Sequence, residues 1–286
     1  MRSVRDVVAM AVAVVLLFGA AAIRAARAHD QGGSVIGLAY DPTGDALLKT
    51  YTRALYRSTD QGKSWQKIAI GPFGEGEIAS VAPSPAGKGI IYAAGAGLGV
   101  LLTDDGGKNW VQRSEGLPSR DVIAIAAHTT QPDTVYAVVN SHGIYRSQDA
   151  GKTWRLMDRT SQQGLRQLIH SNMAGSMQTG WLYAATAEGV RRSMDCFCLW
   201  QDAGKLGSQA YGVTYDPNKP EHLYTSTEKG LFRSADGGEN WVKMNSPTSR
   251  VVGLAFTRSG ALFVINADGD LYRSEDQGNS WTKPNA

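Results

Sequence analysis

An eight-residue pattern, Ser/Thr-x-Asp-x-Gly-x-x-Trp, occurs six times in this chain, once without its glycine, and constrains the fold more than any other feature. The copies end at tryptophans spaced 40 to 46 residues apart, which are Trp65, Trp110, Trp154, Trp200, Trp241 and Trp281. The aspartates of the same copies are Asp60, Asp105, Asp149, Asp195, Asp236 and Asp276. A repeat of about 40 to 45 residues is the length of one four-stranded propeller blade. The spacing therefore predicts an all-β protein, a six-bladed β-propeller of four-stranded antiparallel blades.

The segments between the motifs agree with four strands in each blade. A first strand such as 251–256 is followed by a second strand with an aromatic residue near its start, and a third strand such as 230–234 runs directly into the motif. Turn residues fill the gaps between these strands. Within one domain over residues 29–286, the blades are expected at about 34–72, 73–117, 118–160, 161–205, 206–247 and 248–286. The first blade begins on its innermost strand and the last ends on its outermost, so we expect the ring to close by packing of blade faces.

Each motif is predicted to form the turn between the third and fourth strands of its blade. The aspartate is short enough to accept hydrogen bonds from turn N–H groups, and the serine or threonine adds another. The glycine adopts a positive φ without a Cβ clash, and the tryptophan buries a large apolar area against the hairpin. The motif resembles the Asp-box, or bacterial neuraminidase, repeat, over nearly all of residues 29–286. The resemblance implies a peripheral, structural role for these aspartates, as in the sialidases, sortilin-type receptors, xyloglucanases and photosystem II assembly factors that share the repeat.

The first 28 residues have the composition of an export signal. Arg2 and Arg5 precede an apolar run over residues 7–23, and Ala26-Arg27-Ala28 supplies a small-x-small cleavage pattern. The sequence therefore predicts a signal peptide over residues 1–28 and a periplasmic or secreted protein that is not inserted into a membrane after cleavage. The alternative is an uncleaved N-terminal anchor, because arginines flank the apolar run on its far side.

The charge balance excludes a broad electrostatic attraction to nucleic acid. The whole chain holds 29 basic and 26 acidic residues, but the leader contributes four arginines and one aspartate. The remainder therefore carries 25 of each, and its formal net charge is zero. A protein without an excess of lysine and arginine has no general attraction for a phosphate backbone. We expect a monomer that requires no cofactor.

The links between blades and the turns between second and third strands are expected on one face of the ring, where propellers usually bind ligands. The candidate residues on this ligand face are Arg120, Arg166, Arg250, Glu77, Asp121, His142, Glu188, Tyr211, Glu228 and Asp268. The three arginines lie in three different blades and are suited to one carboxylate, because a planar guanidinium donates paired hydrogen bonds. The alternative is that they are structural or solvated, and Asp121 beside Arg120 suggests a local ion pair.

The resemblance to sialidases implies an enzymatic alternative, a glycoside hydrolase. The Arg-Ile-Pro motif that marks the first sialidase arginine is missing, and no Tyr–Glu nucleophile pair is recognisable. Another glycosidase mechanism would need two carboxylates about 5 to 10 Å apart. The acids available for it are Glu75, Glu77, Glu188, Glu228 and Asp268, but any soluble propeller displays acids on its rim.

The fourth copy of the motif has lost its glycine and carries two cysteines. The sulfur and imidazole side chains expected near this turn are His170, Met173, Met177, Met194, Cys196 and Cys198. Thiolate, thioether and imidazole ligands together suit Cu(I) or another soft metal. The structural alternative in an exported protein is a strained disulfide between the two cysteines, replacing the glycine turn.

These features favour an exported, non-catalytic propeller that acts as a binding or assembly scaffold for a protein or glycan partner. The photosystem II assembly factors that share the repeat imply such a non-catalytic use. A sialidase-like glycoside hydrolase is the second hypothesis, and a periplasmic protein that binds copper through blade 4 is the third.

Overall fold

The structure is a computed structural model that describes residues 32–71, 76–159, 164–176, 180–194 and 199–284. These residues form six separate antiparallel sheets, arranged as six blades around a central channel. The prediction of an all-β, six-bladed propeller is therefore confirmed. No helix in these ranges has the length and apolar character that a membrane crossing requires. The expected signal peptide, residues 1–28, lies outside the described residues.

The first three blades each contain four strands, which follow one another from the channel outwards. Blade 1 comprises β1 (Val35–Asp41), β2 (Ala46–Tyr51), β3 (Ala54–Ser58) and β4 (Gln66–Ile68). Blade 2 comprises β5 (Ser80–Pro83), β6 (Ile91–Gly95), β7 (Gly99–Thr103) and β8 (Val111–Gln112). Blade 3 comprises β9 (Val122–Ala127), β10 (Val135–Val139), β11 (Gly143–Ser147) and β12 (Arg155–Asp158).

The remaining blades repeat this order, with one strand fewer in the last of them. Blade 4 comprises β13 (Gln167–His170), β14 (Leu182–Thr186), β15 (Gly189–Ser193) and β16 (Trp200–Asp202). Blade 5 comprises β17 (Ala210–Asp216), β18 (Lys219–Thr227), β19 (Gly230–Ser234) and β20 (Val242–Lys243). Blade 6 comprises β21 (Val251–Phe256), β22 (Leu262–Asn266) and β23 (Leu271–Ser274).

Blade 6 departs from the expected four strands because of a proline. Within the described residues, β23 meets the outer segment of its blade only at an isolated bridge between Arg273 and Thr282. In blades 2, 4 and 5, the outer strand forms a further hydrogen bond two residues after the position that corresponds to Thr282. The backbone N–H groups that donate to a carbonyl of the third strand there are those of Arg113, Ala203 and Met244. The equivalent residue in blade 6 is Pro284, which has no N–H. The expectation of four strands in every blade is therefore wrong for blade 6.

The hydrophobic core is divided among the six interfaces between blades. Each of six apolar clusters combines side chains from two adjacent blades. Four of the aromatic residues expected near the starts of the second strands are almost completely buried there, namely Tyr92, Tyr183, Tyr224 and Phe263. Since neighbouring blades cover both faces of a second strand, strands such as β6, β10 and β14 are buried at every position instead of alternating. The fold is therefore stabilised mainly by contacts between blades.

The Asp boxes form turns between third and outer strands. In blade 1, the Asp60 carboxylate accepts hydrogen bonds from the Ser58 hydroxyl at 2.7 Å and from the N–H of Ser64 at 2.9 Å. The same pair of bonds recurs at Asp105, Asp149, Asp236 and Asp276. The motif glycine has a positive φ, 89° at Gly62, where the absence of a Cβ avoids strain. Asp195, in the fourth copy, lies outside the described residues.

The Asp boxes also contact the preceding blade, which the motif alone does not reveal. The indole N–H of Trp241 donates to the carbonyl of Ala203 at 2.6 Å, and that of Trp154 donates to the carbonyl of Arg113 at 2.9 Å. A Cβ on Gly238 would lie 2.9 Å from the Cβ of Ala203, so the motif glycine permits this close approach. The Asp boxes therefore join neighbouring blades as well as closing hairpins.

Replacing Trp241 by Phe should cost about 1 kcal/mol more unfolding free energy than replacing Trp110 by Phe. Both changes remove an indole N–H and reduce the ring in the same way. The N–H of Trp241 bonds a carbonyl of blade 4, whereas the buried N–H of Trp110 has no hydrogen-bond partner. Urea unfolding of the two variants measures the difference, and equal losses would show that the bond between blades contributes nothing.

The ring closes between blades 6 and 1 through contact of the inner strands β21 and β1. In the described sheets no strand is exchanged between the two blades, since β1 pairs with β2 and β21 with β22. Gly253 is the point of closest approach, because a Cβ there would lie 2.5 Å from the backbone nitrogen of Leu38 and 2.8 Å from the carbonyl carbon of Gly37. The closure therefore depends on a glycine that lets two backbones touch.

Candidate functional site

The six inner strands surround a channel that opens to a mouth on one face of the ring. The cavity at this mouth has a volume of about 420 Å³. Thr52 and Ala96, from turns between second and third strands, line it together with residues from the links between blades. This is the face on which the sequence placed the ligand-binding candidates. Because each inner strand enters the channel from this face, its first residues lie at the mouth and later ones lie deeper.

Two arginines and a tyrosine line the mouth. Arg166 directly precedes β13 and Arg250 directly precedes β21, so both side chains are placed at the entrance and both are exposed. The guanidinium carbon of Arg166 lies 5.4 Å from the ring centroid of Tyr211, where the aromatic face attracts and orients the cation. Two guanidinium groups at one cavity are suited to a carboxylate or another planar anion.

Glu77 is the one acidic side chain among the described residues that line the mouth. Its carboxylate forms an ion pair with the guanidinium of Arg53 at 3.2 Å. Arg166 and Arg250 are the further charged side chains among the described lining residues. Glu75, the other acid expected nearby, lies outside the described residues.

The remaining ligand-face candidates do not line the mouth. They are Arg120, Asp121, His142, Glu188, Glu228 and Asp268. The last four lie in turns between second and third strands, away from the cavity lining. Four of the ten candidates, Glu77, Arg166, Tyr211 and Arg250, are therefore brought together, and six are not.

Asp121 is paired differently from the expectation. Its carboxylate accepts a hydrogen bond from the side-chain amide of Asn140 at 2.8 Å, and its backbone carbonyl accepts one from the Asn140 N–H at 2.9 Å. Within the described part of the chain no ion pair joins Asp121 to Arg120. The neighbouring charges were thus a poor guide, because the turn geometry directs Asp121 towards Asn140 instead.

Deeper in the channel, polar side chains are hydrogen-bonded to neighbouring inner strands. The Ser80 hydroxyl accepts from the N–H of Ile125 at 3.2 Å, which ties β5 to β9. The Gln167 side-chain oxygen accepts from the N–H of Val213 at 2.8 Å, which ties β13 to β17. Sequence reasoning missed both residues, although each partner lies about one blade period along the chain, which is the signal that could have found them.

Two histidines are stacked at the interface between blades 3 and 4. The ring centroids of His128 and His170 lie 3.9 Å apart, and Tyr136 stacks on His170 from the other blade at 5.8 Å. The His170 Nδ1 accepts from the N–H of Thr129 at 3.3 Å, and the His128 Nδ1 accepts from the N–H of Gln131 at 3.1 Å. Both rings are therefore neutral, with the proton on Nε2. Burial lowers the pKa of His128 to about 4 and that of His170 to about 3.

The soft-metal candidates of blade 4 are only partly described. His170 packs on blade 3, as above, whereas the terminal methyl of Met173 packs beside Gly237 of blade 5 and near Trp181. Met194 directly precedes an undescribed segment; Met177, Cys196 and Cys198 lie outside the described residues. Among the described residues no group of three or more His, Cys, Asp or Glu could hold a metal ion. His170 and Met173 thus pack against different blades, His170 against blade 3 and Met173 against blade 5.

The fold and mouth together define a six-bladed propeller with two arginines at its central entrance, and known proteins share the propeller fold. A family model described as Sortilin, neurotensin receptor 3 (Sortilin-Vps10) matches residues 53–164. A xyloglucanase from Hypocrea jecorina (strain QM6a) is 28% identical over 191 residues, which are 66% of this chain and 21% of that enzyme. This chain therefore spans about a fifth of that relative's length.

Solved structures show the same architecture. The GH74 enzyme of Niastella koreensis superimposes with a TM-score of 0.60 at 19% sequence identity, covering 86% of this chain and 46% of that one. YCF48 bound to D1 peptide superimposes with a TM-score of 0.57 at 19% identity, covering 88% of this chain and 82% of that one. At this level of identity the likeness establishes the six-bladed fold alone.

Proposed function

We propose that this protein is an exported binding scaffold whose central mouth captures a carboxylate-bearing segment of a protein partner. The observation that carries the proposal is the pair of exposed arginines, Arg166 and Arg250, at one cavity whose only described acid, Glu77, is held by Arg53. Charge-assisted hydrogen bonds from guanidinium to carboxylate are among the stronger polar contacts in proteins. The mouth is therefore a recognition site for an anion.

The shape of the mouth supports recognition of a protruding segment over recognition of a flat surface. The positive charges lie at the rim of a cavity, where surrounding low-dielectric walls concentrate the field. The likeness to YCF48 bound to D1 peptide supports peptide binding as one use of this architecture. The likeness to xyloglucanases supports a glycoside hydrolase, but the described lining offers one carboxylate where that reaction requires two.

Replacing both Arg166 and Arg250 by Ala should weaken binding of a capped acidic peptide, Gly-Glu-Leu-Leu-Gly, by about 150-fold. The change removes charge-assisted hydrogen bonds, each worth about 1.5 to 3 kcal/mol. Fluorescence anisotropy of the labelled peptide measures the affinity, with the Gln-for-Glu peptide as the uncharged comparison. The wild-type protein should prefer the Glu peptide, and the double variant should bind both peptides equally.

Arg120→Ala is the matched control. It removes one positive charge from the same face, but Arg120 does not line the cavity. A loss of affinity in this variant equal to that of the double variant would show a diffuse charge effect and not a site. Equal binding of the Glu and Gln peptides to the wild-type protein would refute the proposed function.

A further inference from the structure

The channel directly beneath the arginines is lined by apolar side chains that are only partly buried. These residues are Ile36, Ala39, Val81, Ile123 and Val252. They come from four different inner strands, so the apolar lining covers the part of the channel wall formed by blades 6, 1, 2 and 3. Apolar surface left open to a cavity is a feature of ligand sites, because its removal from water favours binding.

Two polar side chains at this depth already have hydrogen-bond partners. Ser80 bonds the backbone of β9 and Gln167 bonds the backbone of β17, as described above. A polar ligand group that met only these two side chains would lose water without gaining a partner, at a cost of free energy. The middle of the channel favours an apolar group.

The apolar lining continues towards the opposite face of the ring. A second cavity, of about 210 Å³, opens on that side and shares five lining residues with the mouth. The shared residues are Leu38, Ala39, Ser80, Val81 and Gln167. The two cavities are therefore ends of one channel, with two arginines at the mouth and mainly apolar side chains beyond it, apart from Arg258 in the second cavity.

We infer that the mouth selects a carboxylate followed closely by a long apolar side chain, which enters the channel. This inference rests on the proposed function and specifies its ligand. Arg250 precedes β21 and Val252 is the second residue of that strand, so the backbone positions of the two residues are about 7 Å apart along the strand. One to two residues of an extended peptide span that distance. The partner segment thus carries Asp, Glu or a terminal carboxylate with Leu, Ile, Met or Phe one or two positions away.

The test compares two capped peptides that differ only in the apolar residues, Gly-Glu-Leu-Leu-Gly and Gly-Glu-Ser-Ser-Gly. The wild-type protein should bind the Leu peptide about tenfold more tightly, because a leucine side chain in the channel removes apolar surface from water. Ala39→Leu fills the channel with a larger side chain and should abolish the preference for the Leu peptide. The preference for Glu over Gln should persist in this variant, because both arginines remain.

Val81→Thr provides a second variant if Ala39→Leu disturbs folding. It keeps the shape of the side chain and introduces a hydroxyl, so it should reduce the Leu preference while thermal unfolding shows an intact fold. Equal affinity for the Leu and Ser peptides, with the Glu preference retained, would overturn this inference and leave the proposed function standing. Loss of the Glu preference in the wild-type protein would instead overturn both.

Discussion

Lowering the pH from about 7 to about 4.5 should reduce the free energy of unfolding by on the order of 4 kcal/mol through His128 and His170. Burial lowers the pKa values of these side chains to about 4 and about 3, from an ordinary value of 6.5. The unfolded chain therefore binds two protons near pH 6.5, whereas the folded protein binds them only near pH 4 and pH 3. The free energy of unfolding should be constant above about pH 7 and fall below about pH 6.5. The contribution of the two histidines to this fall should end near pH 3.

Urea unfolding at several pH values measures this slope. The matched variant replaces both residues, His128→Asn and His170→Asn, because an amide oxygen accepts the same backbone N–H bonds without titrating. The variant should lose most of the pH dependence between 6.5 and 4.5, whatever its stability at neutral pH. An unchanged slope would show that these histidines are not the groups that titrate.

The Asp boxes act in a separate pH range. Hydrogen bonds from Thr153 lower the pKa of Asp149 to about 2, and hydrogen bonds from Ser280 lower that of Asp276 to about 2. Because folding lowers the pKa of each carboxyl, its stabilising effect is present above about pH 4 and is lost as the pH falls towards 2. The two processes are therefore distinguishable in one titration.

Replacing Gly253 by Ala should cost about 2 to 3 kcal/mol, because it forces apart the strands that close the ring. The added Cβ would lie 2.5 Å from the nitrogen of Leu38 and 2.8 Å from the carbonyl carbon of Gly37. Both are backbone atoms, which cannot move aside as a side chain can. Hydrogen exchange should show reduced protection in β1 and β21 before the other inner strands.

Gly37→Ala is the control on the other side of the same seam. No atom lies within 4 Å of a Cβ built at Gly37, so this variant should unfold within about 0.5 kcal/mol of the wild type. Gly212 holds the equivalent place in blade 5, where the nearest atom to a Cβ is a side-chain methyl of Leu254 at 3.1 Å. The loss of unfolding free energy in Gly212→Ala should therefore lie between those of Gly37→Ala and Gly253→Ala. Equal losses at Gly253 and Gly37 would contradict closure by backbone contact.

The fold was predictable from sequence because the repeat carries its own period. Six motifs at regular spacing determine the number of blades, and the turn chemistry of Asp60 or Asp149 is local to a few residues. Pro284 could have predicted the incomplete outer strand of blade 6, since a proline cannot donate to a sheet. Gly253 could not have predicted the contact that closes the ring, because a glycine in a strand does not indicate which backbone lies against it.

The candidate site was predictable only in part. The order of strands placed ten candidate residues on one face, yet the structure brings four of them to the mouth. The distance of a turn residue from the channel depends on how its blade is tilted and positioned in the ring, and no local sequence pattern determines this. The stacking of His128 on His170 was equally hidden, since it joins two blades through residues that belong to no motif.

A crystal structure of the protein with the Gly-Glu-Leu-Leu-Gly peptide tests the central claim most directly. We predict the peptide carboxylate within hydrogen-bond distance of the guanidinium groups of Arg166 and Arg250, with a leucine side chain against Ile36 or Val81 in the channel. A peptide bound at saturation on another surface, with its carboxylate away from both arginines, would contradict the assignment of the mouth as the binding site.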